Sequence, residues 1–355
     1  MKAIAREYRE LLGANVLNDL DRVTAYFADL SKELTPKLRQ RFCKDWNIPV
    51  KLFVEPYFSE RLAVYNQQTF VAHLLGEFVR LVGQCGGEQE YFTLYNEVKN
   101  KAIQFLNDSE EMMFFSRSED MNKYAVRTQF PTNDIYKQTF IGKTFISVDL
   151  VKGNYTALRH YNPAIVGNTD SYEDFMAMFT SEPYLQGSKY IRQVIFGNVN
   201  PKRQVTYEKY LMGEILNDLL EQGIVPASSV VFFSSDEFVL DADGFTAETI
   251  EKVREVAAKH KADGINNRVE HFVLRFIKDT ETYVKEFLTG EAAGTLDFKC
   301  MTSLMMPFIF RAVYGNPANE NDNVFDYEGR LAKWLEGITI NLDHEFSAVK
   351  SWERL

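Results

Sequence analysis

The chain has 355 residues, of which 45% are hydrophobic and 25% are charged. This balance is typical of a globular protein and excludes the collagenous, low-complexity and disordered classes. The formal net charge of −10 disfavours broad electrostatic binding to nucleic acid, because contacts with phosphates supply most of that affinity, although it is compatible with a local basic groove.

The N-terminal residues lack the apolar core of a signal peptide, and no apolar run approaches the ~20 residues that span a bilayer. We therefore expect a cytoplasmic protein with no membrane partner. The three cysteines, Cys43, Cys85 and Cys300, are widely spread and lack the spacing of metal ligands. This pattern predicts reduced thiols and no zinc site.

The N-terminal region, residues 1–125, has the pattern of a helical extension. Apolar residues recur every three or four positions over residues 4–12, 15–34, 68–82 and 90–106, which predicts four helices. Residues 50–56 form a short β-branched and aromatic run ending at Pro56, which predicts a strand.

The pattern changes in residues 126–290. Residues 144–150 form an apolar run that predicts a buried strand, and helical patterns follow at 154–161, 172–179 and 207–222. Two apolar runs, 230–233 and 238–240, flank a polar turn and predict a hairpin; a helix at 246–260 and a strand at 268–278 follow. This order predicts an α/β domain of the α+β kind, with a ferredoxin-like antiparallel sheet and an enlarged first crossover.

The C-terminal region, residues 291–355, is predicted to be a helical extension that packs on this domain. Its helices are expected at residues 304–314 and 327–335.

Three carboxylates converge in the predicted topology. Asp149 ends the first strand, and Asp236 and Glu237 lie in the turn of the neighbouring hairpin. Clustered carboxylates repel one another unless a cation neutralises them, and hard oxygen ligands suit Mg²⁺ or Mn²⁺ that arrives with substrate phosphates. Asp149, Asp236 and Glu237 are therefore the predicted catalytic residues of a phosphoryl-transfer site.

Two short segments resemble a known superfamily, the palm-domain polymerases and nucleotidyl cyclases. The run Ser235-Asp236-Glu237-Phe238 is similar to the Ser-Asp-Glu-Tyr/Phe motif of the tRNA-His guanylyltransferases and to the Gly-Gly-Asp-Glu-Phe turn of the diguanylate cyclases. The segment from Asp149 to Tyr155 resembles the Asp-Gly-Arg-Asn-Phe segment of the guanylyltransferases, with two extra residues.

The resemblance implies a palm fold and a set of site residues. Asp149, the Leu150 carbonyl and Asp236 would hold the metal, while Asn154, Tyr155 and Ser235 would contact substrate. The resemblance covers residues 143–280. The interval from Asp149 to Asp236 is 87 residues, longer than in either family, so the first crossover must contain a substantial insertion.

The insertion concentrates basic residues in an acidic chain. Lys189, Arg192, Lys202 and Arg203 are predicted to contact a triphosphate or an RNA backbone, although ordinary charges at an exposed helix start would give the same pattern.

The function predicted from these features is a metal-dependent nucleotidyltransferase that uses a nucleoside triphosphate, with an RNA end, such as that of a tRNA-like molecule, as acceptor. The alternatives are a nucleotidyl cyclase and a non-catalytic binding protein that keeps the palm fold. The sequence does not decide whether the protein forms a homo-oligomer, which base it selects or in which direction the nucleotide is transferred.

Overall fold

The computed structural model describes residues 19–69 and 71–346. These residues combine helices with a six-stranded antiparallel sheet, as predicted for the fold class. The predicted helix at 4–12 and the start of the one at 15–34 lie outside the described residues. In that part of the chain, no helix is long and apolar enough to cross a membrane.

In the described residues, six α-helices precede the sheet. The Asp19 carboxylate caps the first by accepting a hydrogen bond from the Arg22 amide at 3.2 Å, and Thr35 caps the second, which has Pro36 in its first turn. The predicted helices at 68–82 and 90–106 are confirmed with shifted ends. The six helices are α1 (Leu20–Ser31), α2 (Pro36–Asp45), α3 (Tyr57–Asn66), α4 (Val71–Cys85), α5 (Glu88–Asp108) and α6 (Glu110–Arg117).

The predicted strand at 50–56 is wrong. Residues 50–53 have no regular structure, and α3 begins directly after Pro56. Val50 and Leu52 are buried against the helices instead. An apolar run becomes a strand only where a second strand satisfies its backbone groups, and none pairs with this segment in the described residues.

The central part follows the predicted order of strand, helices, hairpin, helix and strand. The 87-residue interval contains five helices and two 3₁₀ turns in addition to β2, so the predicted insertion is helical. The elements are β1 (Thr144–Leu150), α7 (Gly153–Tyr161), α8 (Tyr172–Ala177), α9 (Pro183–Gly187), α10 (Lys189–Gly197), α11 (Pro201–Glu221), β2 (Val230–Phe233), β3 (Glu237–Asp241), α12 (Ala247–Ala262) and β4 (Asn267–Phe276).

The C-terminal part adds strands that the sequence did not indicate. β5 (Tyr283–Thr289) and β6 (Leu296–Lys299) extend the sheet, and α13 (Met306–Tyr314) matches the helix predicted at 304–314. The helix predicted at 327–335 is wrong, because this stretch belongs to a hairpin of β7 (Val324–Tyr327) and β8 (Arg330–Lys333). Glu328 and Gly329 both have positive φ, at 51° and 79°, which is the geometry of a tight hairpin turn.

The strand order of the large sheet is β2-β3-β1-β4-β5-β6, with β1 between β3 and β4. Asp149 near the end of β1 lies opposite Glu237 of β3 and Arg268 of β4. The register therefore brings the predicted acidic residues of β1 and β3 side by side.

The two faces of the sheet differ. Ile146 and Val148 of β1 point into the main core, which also contains the apolar faces of the helices. Phe145 points the other way, into a smaller cluster with Phe272 of β4. Because side chains alternate along a strand, Ser147 and Asp149 share the face of Phe145. That face is apolar at one end and ionic at the end where Asp149 lies.

Candidate functional site

The backbone joins the end of β1 to the hairpin turn. The Leu150 amide donates a hydrogen bond to the Asp236 carbonyl at 2.8 Å, just beyond the paired residues Asp149 and Glu237. The predicted proximity of these residues is therefore present in the structure. Leu150, whose carbonyl the resemblance assigns to the metal, has its side chain buried in the core.

The Ser234 side chain organises the turn. Its Oγ accepts a hydrogen bond from the Glu237 amide and donates to Asp236 Oδ1, both at 3.1 Å. Ser235 contacts Asp236 Oδ1 at 3.5 Å, which is a weak interaction at most. The turn leaves Asp236 exposed at its tip, where its carboxylate can reach an added ligand.

Glu237 is held in place more firmly than Asp236. Its Oε1 accepts hydrogen bonds from Ser147 Oγ at 2.8 Å and from the buried Lys285 Nζ at 3.2 Å. Lys285 also approaches Glu270 at 3.3 Å. Glu237, predicted as catalytic, is thus part of an ionic network on the sheet.

Asp149 belongs to the same network through Arg268. Arg268 Nη2 lies 2.6 Å from Asp149 Oδ2, and its Nε lies 3.0 Å from Glu270 Oε1. The Asp149 side chain is 23% exposed, whereas the Arg268 side chain is 58% exposed. One face of Arg268 therefore covers the carboxylate while much of its length is in solvent.

The environment of Asp149 favours its neutral form. Burial raises its pKa to about 6, and the Glu237, Glu270 and Asp236 carboxylates add to this shift while Arg268 opposes it. Carboxylates brought together in this way gain stability from an added cation.

Glu208 of α11 is a fourth carboxylate that sequence reasoning missed. It is buried, and its Oε1 accepts a hydrogen bond from Asn154 Nδ2 at 2.8 Å. Burial raises its pKa to about 7, with a further contribution from Asp236. One feature of the sequence could have indicated Glu208. It is a charged residue within the apolar stripe of the helix predicted at residues 207–222.

The crossover also brings one cation, Lys189, towards Asp149. The pKa of Lys189 is lowered, first by desolvation and then by Arg192 and Lys299, while Asp149 acts in the opposite direction. The Arg192 guanidinium packs over the Tyr172 ring at 5.5 Å. Lys189 at the start of α10 is thus close enough to Asp149 to feel its charge, while its role in phosphate binding stays a prediction.

The other predicted substrate residues are placed differently. Arg203 Nη1 donates to the backbone carbonyls of Phe115 and Glu119, both at 2.8 Å, which ties α11 to the end of α6 and the segment after it. Lys202 is exposed at the start of α11. Tyr155 is buried, and its hydroxyl donates to the Thr169 carbonyl at 2.8 Å. Arg203 and Tyr155 therefore have structural contacts, and Asn154 is the predicted residue that reaches Glu208.

The donor set has the chemistry that Mg²⁺ prefers, although its present geometry is not that of a complete metal site. Asp149 and Asp236 supply hard carboxylate oxygens from adjoining strand ends, and Mg²⁺ needs only one or two carboxylates when substrate phosphates supply further ligands. Within the described ranges, no group of three or more histidine, cysteine, aspartate or glutamate side chains is arranged to hold a metal ion. The cation that contacts Asp149 is the Arg268 guanidinium.

The chain was compared with protein-family models, curated proteins and solved structures, and no match was found in any of them. The functional argument therefore depends on the geometry of the site.

Proposed function

We propose that this protein is a metal-dependent nucleotidyltransferase that acts on a nucleoside triphosphate, with an RNA end as acceptor. The observation that carries the proposal is the junction of β1 with the hairpin turn, where Leu150 and Asp236 share a backbone hydrogen bond of 2.8 Å. This junction places the backbone of Asp149 next to that of Asp236, whose carboxylate is exposed.

The strand order supports the proposal. In the sheet, β1 lies between β3 and β4, and helices connect β1 to β2 and β3 to β4. This is the arrangement that a split βαβ unit of the palm type would have. The five helices of the first crossover would then be an insertion in that unit.

Different residues of the chain would have different roles in phosphoryl transfer. Asp149 and Asp236 would hold Mg²⁺ or Mn²⁺, which would neutralise phosphate charge and activate the attacking hydroxyl. Lys189 and Arg192 would position the triphosphate by charge. Glu237, fixed by Ser147 and Lys285, would orient the strand end rather than contact the substrate.

Ligand-dependent thermal stability tests the proposal. GTP or ATP with Mg²⁺ or Mn²⁺ should raise the melting temperature, because a ligand that binds only the folded state stabilises it by mass action. Asp149→Asn and Asp236→Asn should remove this increase, whereas Asp170→Asn, at an exposed ion pair with Arg159, should keep it. An unchanged melting temperature with every triphosphate and metal would contradict the proposal.

Products then identify the acceptor. Labelled triphosphate incubated with RNA should give labelled RNA and pyrophosphate. Formation of a cyclic or dinucleotide product without RNA would instead indicate a cyclase.

A non-catalytic binding protein is the second candidate, and the ion pair between Arg268 and Asp149 favours it. A carboxylate that is permanently paired has no vacancy for a metal ion. Triphosphate binding that is independent of metal and of Asp149 would support this candidate.

A further inference from the structure

Two cations of the crossover differ from those of the sheet. Four carboxylates on the ionic face of the sheet each lie 3.3 Å or less from a lysine or arginine nitrogen: Asp149, Glu237, Glu270 and Asp297. Among the residues that the structure describes, no carboxylate forms an ion pair with Lys189 or Arg192 of α10. The four carboxylates therefore have cationic partners, whereas α10 carries two positive charges without an anionic one.

The position of these two cations on α10 is unfavourable. Lys189 is the first residue of the helix and Arg192 is the fourth, so their side chains lie on the same face and repel each other. They also lie at the positive end of the helix dipole, where α10 has no acidic residue. The pKa of Lys189 is lowered first by desolvation and then by Arg192, which agrees with this crowding. A bound anion would relieve both kinds of repulsion.

The hydroxyl of Tyr172 is an independent sign of a missing partner. Tyr172 is 1% exposed, yet its hydroxyl has no hydrogen-bond partner within the described part of the chain. The Arg192 guanidinium carbon lies 5.5 Å from the centroid of its ring. Burial raises the pKa of Tyr172 and the Arg192 charge opposes this rise, so the hydroxyl is close enough to Arg192 to feel its charge. A buried donor without an acceptor is costly, and a ligand oxygen beside Arg192 would satisfy it.

The neighbouring ion pair does not supply this oxygen. Glu173, which follows Tyr172 in α8, is paired with the Lys152 ammonium. The pKa of Arg192 is lowered by desolvation, and Glu173 opposes this change only from beyond ion-pair distance. Lys152 itself lies 5.6 Å from the centroid of the Tyr172 ring. The surroundings of Tyr172 therefore keep an excess of positive charge.

A phosphate group has the chemistry that these donors require. The forked N–H groups of a guanidinium bind two phosphate oxygens at once, and an ammonium adds a compact positive charge. The Tyr172 hydroxyl can donate to a third oxygen. Lys189 is exposed, so a ligand can approach this group from solvent.

We propose that Lys189, Arg192 and the Tyr172 hydroxyl form a binding site for the phosphates of a nucleoside triphosphate, and that this site needs no metal ion. The inference rests on the proposed function for the identity of the ligand, in which Lys189 and Arg192 already position the triphosphate. It adds Tyr172 as a binding residue and makes phosphate binding independent of the carboxylates.

Titration calorimetry with inorganic tripolyphosphate tests the site. The buffer contains EDTA, so that no divalent cation contributes to binding by the full chain. Lys189→Gln and Arg192→Gln should each weaken binding by roughly tenfold, because each removes a charge-assisted hydrogen bond. Tyr172→Phe keeps the ring under Arg192 and removes only the hydroxyl, so it should weaken binding roughly fivefold. GTP and ATP should displace tripolyphosphate in the same buffer.

Lys252→Gln is the matched control. Lys252 lies in α12, which begins beyond Asp241, at the end of β3 opposite to Glu237. The variant makes the same change in net charge away from α10, and its affinity for tripolyphosphate should stay within about twofold of the wild type. Arg192→Lys keeps the charge without the forked geometry and should bind more tightly than Arg192→Gln. Circular dichroism checks that each variant is folded.

The outcomes separate the inference from the proposed function. If tripolyphosphate does not bind in EDTA, or binds Lys189→Gln, Arg192→Gln and Tyr172→Phe as tightly as Lys252→Gln, the phosphate site is wrong. Stabilisation by GTP or ATP that requires Mg²⁺ would then still support the transferase.

The opposite result is equally clear. If tripolyphosphate binds through Arg192 but Mg²⁺ adds no stabilisation with any triphosphate, the phosphate site stands and the transferase is wrong. Failure of both GTP and ATP to displace tripolyphosphate would overturn the nucleoside triphosphate as the ligand.

Discussion

Two aspartates of this chain pair with arginine in very different surroundings. Asp322, after α13, is buried between Arg61 of α3 at 2.6 Å and Arg311 of α13 at 2.5 Å. Arg61 Nη2 also donates to three backbone carbonyls near Asp322, each at 3.0 Å. Among the residues that the structure describes, Asp149 at the acidic strand end pairs with one arginine, Arg268, whose side chain is more than half exposed.

The difference separates a structural ion pair from a candidate functional one. Around Asp322 all three charges are buried and hydrogen-bonded, and they join the N-terminal helices to the C-terminal region. Around Asp149 further carboxylates lie nearby, and its pKa is raised to about 6. Ionisable groups in an environment that disfavours their charged form are typical of functional sites, where activity is retained at the expense of stability. The following substitutions test this distinction by the size and sign of their effects.

The largest effect is expected at the buried pair. Asp322→Asn should lower the free energy of unfolding by about 3–5 kcal/mol, because two buried arginines would lose their anionic partner. Urea denaturation followed by circular dichroism measures this change. Asp170→Asn, at a side chain that is 92% exposed, should change it by less than about 1 kcal/mol. Similar losses in the two variants would remove the distinction between buried and exposed pairs.

Glu208→Gln should raise the free energy of unfolding, in contrast to Asp322→Asn. The folded protein raises the pKa of Glu208 from 4.5 to about 7, so unfolding releases a proton between these values and the free energy of unfolding falls as the pH rises through them. Glutamine keeps the acceptor for Asn154 but cannot ionise. The variant should therefore be more stable than the wild type by about 3 kcal/mol at pH 8 and by little near pH 4.

Denaturation curves at several pH values measure this difference. A gain for Glu208→Gln that is the same at pH 4 and pH 8 would show that the ionisation of Glu208 is not its cause.

Asp149→Asn should stabilise the protein less than Glu208→Gln. The raised pKa of Asp149 already includes the attraction of Arg268, and it means that ionisation of Asp149 destabilises the fold as the pH rises from 3.8 through about 6. Solvent at this partly exposed side chain screens part of that cost. We expect a net gain of about 1 kcal/mol at pH 8 that disappears near pH 4. Thermal unfolding at both pH values checks the sign, and a loss as large as that of Asp322→Asn would mean that Asp149 is a structural residue.

The smallest effect is expected for Arg268→Gln. Because Arg268 is largely exposed and Lys285 still neutralises Glu270, the free energy of unfolding should change by less than about 1 kcal/mol. Arg61→Gln, at the buried pair, provides the contrasting loss in the same urea assay. Equal losses in these two variants would contradict the distinction between the buried and the exposed ion pair.

Much of the central sheet could be predicted from local patterns. The runs at 144–150, 230–233 and 238–240 are short, apolar and bounded by polar turns, and the structure has β1, β2 and β3 at these places. The C-terminal region was harder, since the helical spacing of residues 327–335 competes with a hairpin turn at Glu328 and Gly329. β5 and β6 mix charged and apolar residues, and their pairing partner β4 lies outside any short window.

The sequence by itself determined the order of the central elements and the positions of Asp149 at a strand end and Asp236 in a hairpin turn, because both features are encoded within a few residues. Only the tertiary structure decided the partners of those carboxylates. Arg268 lies 119 residues from Asp149, and Glu208 belongs to a helix of the crossover. Long-range pairing and burial set these contacts and the pKa of each group. A local pattern of residues predicts neither the pairing nor the burial.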